Sequence, residues 1–571
     1  MSAKRVADIV VETLENAGVK HCYGIVGDTL NHVTDAIFRS KIEWVHMRHE
    51  EAGAFAAGAE AYVSGELTAC AGSCGPGSLH LINGIFESNR NRAPVVLIAS
   101  QIDTTNLGTN FPQEVDFKAI YSHCSVFCEQ LFNPEDAQRL VTAACQAAIS
   151  KQGVAVIILP SDISAQSIRH VTNYSVHRAH PVIRPSDKEL NDIAALLHKG
   201  KKVGIYVGVG VNGAHDEVVE LAKRLKAPIG HTTRSKDFIE YDNPYNVGMN
   251  GMLGSKSGFD MIQECDTLLL LGTDFAYTQF YPDKATLIQV DIDGTHLGHR
   301  HPVDLGVIGD VKDTVKALLK VVEEKTDTSF LDKCLKNREE ALKKEEKETA
   351  DAKSIIHPQH LVALVSQYAD DDAMAVADSG SPMVWMLRHF KTNGKRRTLA
   401  SLSHGTMANA LPQAIGLKKT YDDRQVISLS GDGGLAMLLG ELLTVVQEKI
   451  DLKIIVFNNS SLNFVELEQK VEGLVDHYTD LHNPDFSKLA EVVGIKGWKV
   501  DKPEDLESSV KAFLSHKGAA LLDVKTNGYE LVMPPKITAN EVSSMALYGT
   551  KAILQGRVKD VKDLLVNNFV K

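Results

Sequence analysis

Short apolar runs recur along the chain, most of them ending at Gly, Asp or Ser, and longer stretches with helical spacing separate them. The runs include HCYGIVGD, LTACAGSCGPGS, APVVLIAS, VAVIILPSD, KVGIYVGVGV, DTLLLLGTD, TLIQVDID, AMAVADSGS, QVISLSGDGG, LKIIVFNN and AALLDVKT. Strands that are apolar at every position, rather than at alternate ones, belong to parallel sheets covered by helices on both faces. The pattern therefore predicts an α/β fold of doubly wound parallel sheets. Pro-rich text at 176–190 and a charge run at 335–359 interrupt the alternation. The charge run reads as a solvated helix or linker, with no chemistry of its own. Three successive α/β domains are expected, followed by a tail after residue 530.

The 571 residues exceed one core, since a domain takes about 100–200 residues. A formal net charge of −12 without a long Lys/Arg block argues against a nucleic-acid surface, so no nucleic-acid partner is expected. Among the eight cysteines, Cys124 and Cys128 stand four apart with no second pair or His cluster beside them. Buried free thiols in a reducing compartment are the expectation. The opening MSAKRVADIVVETLENAGVKH is amphipathic and carries acids, unlike a signal peptide, and no run of eighteen apolar residues occurs. A cytoplasmic protein able to touch a membrane surface is expected. At the C-terminus, Leu554, Val558, Val561, Leu565 and Phe569 recur at helical spacing. Lys551, Arg557, Lys559, Lys562 and Lys571 there outnumber Asp560 and Asp563. A basic amphipathic helix either docks on its own core or lies on a membrane.

The chemistry is concentrated where QVISLSGDGG and LKIIVFNN end. Glycines after a strand let backbone N–H groups approach an anion, for which phosphate is the natural ligand. Asp432 among them adds a hard carboxylate oxygen, which suits a diphosphate only with a divalent cation between the two. The second strand end supplies the amide oxygen of Asn459. This GDG, then one helix and one strand, then NN, resembles the thiamine-diphosphate binding motif. The resemblance implies Mg²⁺ held by Asp432, Asn459 and a carbonyl near Ser461, with Gly433, Gly434 and Ser460 beside the diphosphate. It also implies a glutamate from the N-terminal domain, supplied as Glu50 in MRHEEAGAFAAGAEAYVSG. Its task would be to hydrogen-bond the aminopyrimidine and favour the imino tautomer, so that the cofactor takes up its own thiazolium proton.

AGSCGPGSLHLINGIFESNRNRAPV, YNVGMNGMLGSKSGFD, LLGTDFAYTQFYP, LSHGTMANALPQAIG and the tail narrow the resemblance to the quinone-linked pyruvate dehydrogenase, or pyruvate oxidase, family, over almost the entire chain. That family implies a pyrimidine-binding domain (1–180), an FAD-binding domain (181–335), a diphosphate-binding domain (336–530) and a membrane-binding tail (531–571). It implies a homotetramer in which thiamine diphosphate lies between two subunits. It further implies oxidative decarboxylation of pyruvate to acetate, with electrons passing through FAD to ubiquinone, and lipid binding at the inner face of the cell membrane. Carried over residue by residue, Gly208, Gly210, Gly251, Met252, Leu253, Gly254, Asp274, Phe275, Ala276, Tyr277, Thr278, Asp291 and Asp310 match FAD-contacting segments. Ser379, Gly380, Gly405, Thr406 and Met407 match aminopyrimidine-side contacts, with Met407 as the apolar wedge. His80 and Gln113 match polar residues near the substrate. Leu462, Asn463, Phe464, Val465 and Glu468 match the loop after NN, Phe464 being either a mobile active-site aromatic or a core residue.

Two departures stand out. Pro112 stands where an aromatic is expected before Gln113, so that aromatic is either missing or replaced from nearby by Phe111; a smaller residue there could admit a 2-oxo acid larger than pyruvate. Asn463 replaces a glycine before Phe464, and Asn is the non-glycine residue that best tolerates left-handed backbone angles. Acetolactate synthase, phosphate-dependent pyruvate oxidase and a catalytically silent scaffold are the alternatives, and intact Glu50, Asp432 and Asn459 argue against the last.

Overall fold

The computed structural model describes residues 4–168, 174–349, 355–530, 539–555 and 557–569. Three six-stranded parallel sheets follow one another along the chain, as the apolar runs predict. The first holds β1 (His21–Gly24), β2 (Glu43–His46), β3 (Thr68–Gly72), β4 (Val95–Gln101), β5 (Phe127–Gln130) and β6 (Val154–Pro160), in the order β2-β1-β3-β4-β6-β5. The second holds β7 (Val203–Val207), β8 (Ile229–His231), β9 (Asn246–Met249), β10 (Thr267–Leu271), β11 (Thr286–Asp291) and β12 (Leu305–Ile308), ordered β9-β8-β7-β10-β11-β12. The third holds β13 (Met374–Ala377), β14 (Arg397–Ala400), β15 (Val426–Gly431), β16 (Lys453–Asn458), β17 (Lys496–Val500) and β18 (Ala520–Lys525), and repeats the first as β14-β13-β15-β16-β18-β17.

Burial explains the unbroken apolar runs. In β4, Val95, Leu97 and Ala99 face one core while Val96 and Ile98 face another, and all five are fully buried. Each of the Val, Leu and Ile side chains contributes about 1.5–3 kcal/mol on leaving water, which fixes the strand in the sheet interior. Near the middle of each sheet the strand order reverses, and a crevice opens there at the carboxyl ends of the two flanking strands. Those pairs are β1 and β3, β7 and β10, and β13 and β15.

Nine helices bear on the sites: α1 (Glu50–Ser64), α2 (Ile82–Arg90), α3 (Ser381–His389), α4 (Ala410–Thr420), α5 (Asp432–Met437), α6 (Glu441–Gln447), α7 (Asn463–Val471), α8 (Ala539–Leu554) and α9 (Val558–Phe569). The alanine-rich face of α1 packs on α4, so the first and third domains share one hydrophobic cluster. The charge run begins as the helix Ser329–Glu348, as its pattern predicts.

The tail departs from a single amphipathic helix. It forms α8 and α9, broken where Arg557 pairs with Asp476 of the third domain at 2.8 Å and with Asp560 at 2.7 Å. The expected stripe divides accordingly. Of the stripe's described side chains only Val561 packs inward, beside Leu564, a buried residue outside it, against Leu467 of α7 with buried Tyr548 and Ala552, while Leu554, Val558 and Leu565 face solvent. Beneath this contact Lys470 is 1 % exposed, paired with Glu466 and Asp476 and lying 5.6 Å from the ring centroids of both Tyr529 and Tyr548. Two carboxylates and two ring faces offset the cost of desolvating that ammonium. The Phe569 side chain, Lys571 and residues 531–538 lie outside the described residues. No helix among the described residues is long and apolar enough to cross a membrane.

Candidate active site

The third domain gathers most of the expected cofactor residues at its crevice. Strand β15 ends at Gly431, and Asp432 opens α5, 3 % exposed. Its carboxylate accepts from the backbone N–H groups of Gly433 (2.9 Å) and Ser460 (2.7 Å) and from the Asn483 amide (2.8 Å). Burial raises its pKa, and the donors oppose that rise. Asn459 follows β16, and its Oδ1 accepts from the Ser461 N–H at 3.1 Å. Among the described hydrogen bonds the Ser460 carbonyl is taken by Leu481 N–H, whereas the Ser461 carbonyl accepts none. A fixed carboxylate, an amide oxygen and a free carbonyl form an all-oxygen donor set, which fits Mg²⁺.

The glycines admit what must pack beside them. A Cβ on Gly434 would lie 2.3 Å from Asp378 Oδ2, so no larger residue fits there. A Cβ on Gly433 would lie 2.7 Å from Leu462 Cδ2 and 3.4 Å from Met407 Cε, so the expected wedge reaches the glycine loop. Ser379 and Gly380 follow β13 across the crevice, where Phe464 Cβ approaches Gly380. Phe464 is partly buried against the third-domain core. Val465 is exposed, and Glu468 lies a turn farther along α7, exposed beside Glu472. The left-handed residue of this loop is Ser460, with φ +58°, and not Asn463, which instead opens α7 and donates its amide to the Gly528 carbonyl. The turn is made before the helix starts, so a glycine at 463 is not needed.

The first domain forms a second cluster. Glu50, at the start of α1 and 8 % exposed, pairs with His80 Nδ1 at 3.0 Å. His49 stacks on His80 with ring centroids 4.8 Å apart. Gln113, with φ +71°, is exposed and accepts from the Cys74 thiol at 3.0 Å. The loop after β3 joins these two points, because Gly75 faces Gln113 and Gly77 faces Glu50. No described hydrogen bond joins Glu50, His80 or Gln113 to Asp432, Asn459 or Met407. Links between the two domains include one from Arg48 N–H to Glu441 on α6 (3.1 Å) and one from Asn83 to Thr406 (3.0 Å).

These observations decide the family. All three domains match models of the thiamine pyrophosphate enzymes: the N-terminal TPP binding domain over residues 4–120, the central domain over 190–318 and the C-terminal TPP binding domain over 378–524. The chain belongs to the thiamine pyrophosphate enzyme family. A putative thiamine pyrophosphate-containing protein, YdaP of Bacillus subtilis (strain 168), is 33 % identical over 99 % of both chains. Pyruvate oxidase of Lactiplantibacillus plantarum is 29 % identical over 94 % of this chain and 91 % of its own. The large subunit of acetolactate synthase isozyme 1 of Escherichia coli is 28 % identical over 92 % of this chain and 95 % of its own.

In the middle domain of this family member, the strand order is the one that binds dinucleotides at its reversal. Gly208 there approaches the Gly272 carbonyl closely enough that a Cβ would sit 2.4 Å away. Asn250, 1 % exposed at the end of β9, has neither amide atom partnered, and His231 Nε2 at the end of β8 is likewise orphaned. Met252 and Tyr277 are exposed nearby in sequence to the orphaned amide and to β10. Buried polar atoms lacking a protein partner call for a ligand or water, so the crevice fits FAD. The expected acids are engaged within the protein: Asp274 pairs with Arg300, Asp291 with His296, and Asp310 caps the next helix.

Several residues at these sites were not foreseen. Asn483 lies 51 residues beyond Asp432, and no spacing rule marks it. Asp378, 1 % exposed, accepts from Ala410 N–H at 2.9 Å, and burial pushes its pKa up to about 7. An acid at a strand end just before Ser379 was the available signal. Glu441 is likewise pushed up to about 7 by burial.

Proposed function

We propose that the protein oxidatively decarboxylates pyruvate with water to acetate and CO₂, two electrons passing through FAD to ubiquinone at the inner face of the cell membrane. The observation that carries this reading is the docked pair α8 and α9. It ties a partly exposed apolar surface to α7, the helix that leaves the metal loop. The pyruvate oxidase relative, matched over nearly the whole chain, supports pyruvate as substrate.

Bound thiamine diphosphate supplies a carbon nucleophile for the 2-oxo group and a sink for the electrons released with CO₂. The protein's own groups do the rest. Asp432, Asn459 and the Ser461 carbonyl would hold Mg²⁺, and Met407 would pack against the bound cofactor. Glu50 receives and returns a proton at its carboxylate, held in place by His80. His80 and Gln113 orient the carboxylate of pyruvate. No described hydrogen bond joins Glu50 to Asp432 within one chain, which is in keeping with sites completed between subunits of the homotetramer that the family resemblance implies.

Anaerobic stopped-flow absorbance with thiamine diphosphate, Mg²⁺ and pyruvate tests the reading. The flavin band is expected to bleach and to return on adding a quinone, without acetolactate. A flavin that stays oxidised while pyruvate is consumed would instead favour carboligation, the activity named for the acetolactate synthase relative. Bleaching accompanied by acetyl phosphate would favour the phosphate-dependent oxidase.

Truncation after residue 550 removes α9 and the Arg557–Asp476 pair but leaves Tyr548 over Lys470. Activity with a soluble dye acceptor should survive, whereas stimulation by lipid vesicles should vanish. Unchanged stimulation would remove the tail from the mechanism.

A further inference from the structure

The segment 401–407, which carries Thr406 and Met407, is held chiefly by one face of α2 in the first domain. Asn83, Phe86, Glu87 and Arg90 stand at helical spacing along that face and meet it in turn. Ser401 Oγ donates to Glu87 at 2.7 Å, Arg90 donates to the Ser403 carbonyl at 3.1 Å, and the His404 ring stacks on Phe86. Asn83 makes the decisive contacts. Its Nδ2 donates to Glu51 Oε1 at 2.6 Å and to Thr406 Oγ1 at 3.0 Å, and its Oδ1 faces His404 Nε2 at 2.8 Å. Those partners fix the amide orientation, because a carboxylate can only accept. His404 must then carry its proton on Nε2, and one small side chain is satisfied from two domains at once.

We propose that Asn83 is a positioning residue that sets Thr406 and Met407 against the cofactor and ties them to Glu51, the neighbour of Glu50. The inference rests on the reading that residues 405–407 face the aminopyrimidine. The amide holds the Thr406 hydroxyl, and that hydroxyl donates to the Met407 carbonyl at 2.9 Å, so the register of the wedge is fixed from α2. Asn83 itself touches no reacting atom in this arrangement. Glu51 follows Glu50 directly in the first turn of α1, so the Asn83 contact joins the wedge to the start of that helix. The two clusters of one chain are thereby linked even if they serve different active sites.

The test uses the full-length apo-protein titrated with thiamine diphosphate and Mg²⁺, following tryptophan fluorescence and the near-ultraviolet circular dichroism of the bound cofactor. Variants N83A, N83S, T406V and N83A/T406V are compared, with melting temperature as a folding control; the serine is too short to span the three partners and serves if the alanine protein fails to fold. Losing hydrogen bonds of this kind should weaken cofactor binding at least about tenfold and alter the bound cofactor's dichroism, with T406V adding nothing further to N83A. A folded N83A or N83S protein with wild-type affinity and spectrum overturns the proposal, as do additive losses in the double variant. Failure of the wild-type protein itself to bind thiamine diphosphate would overturn the functional reading instead.

Discussion

Glu50→Gln is expected to lower turnover by about 10²–10⁴-fold, the range typical of a lost acid–base group, while the protein remains folded. Glutamine keeps the shape that fits between His80 and the Gly77 backbone, but its amide cannot take up and return a proton. The structural loss is small. Glu50 begins α1, where a negative charge is worth about 0.3–1 kcal/mol against the helix dipole. Steady-state kinetics beside thermal melting separate the two effects. A glutamine variant retaining more than about a tenth of wild-type turnover would rule out Glu50 as the proton-handling group.

Asp432→Ala should abolish cofactor retention rather than slow a bound cofactor. The substitution removes an oxygen donor that three N–H groups hold in place, so a weakening of about 100-fold or more is expected. That exceeds the 10–100-fold typical of groups one shell out from a metal. Apo-protein stability should fall as well, so melting temperature is followed beside binding. Orphaning each donor costs about 1–3 kcal/mol, but relief from burying a carboxylate offsets part of it. Metal-dependent quenching of protein fluorescence by thiamine diphosphate measures the effect. Wild-type affinity in the alanine protein would place the metal elsewhere.

Both predictions depend on local chemistry, and the tail shows how tertiary contacts redistribute it. Its apolar spacing is equally suited to docking or to a membrane surface, and the structure docks only part of it on the third domain. Leu564 and Val561 cover α7 because Lys470 beneath them needs Tyr548, Asp476 and Glu466 to offset its burial. Leu554, Val558 and Leu565 are left outward by the break at Arg557.

The sequence by itself determined the fold class, because strands buried on both faces must be largely apolar on both and the eleven quoted runs are, with Gln289, Ser428, Ser430 and Asp523 as buried polar exceptions. It also placed Asp432 and Asn459 at adjacent strand ends, since the GDG and NN motifs are local and the parallel sheet brings them side by side. What only the tertiary structure decided are contacts between segments that spacing does not relate. Asn483 reaches Asp432 across 51 residues, Asn83 reaches Thr406 across 323, and Ser460 rather than Asn463 takes the left-handed turn. Hydrogen bonds of that kind depend on how sheets and helices pack against each other, and packing is set by many weak apolar contacts together. A short motif records the chemistry of a strand end but not the partner that folding will bring to it.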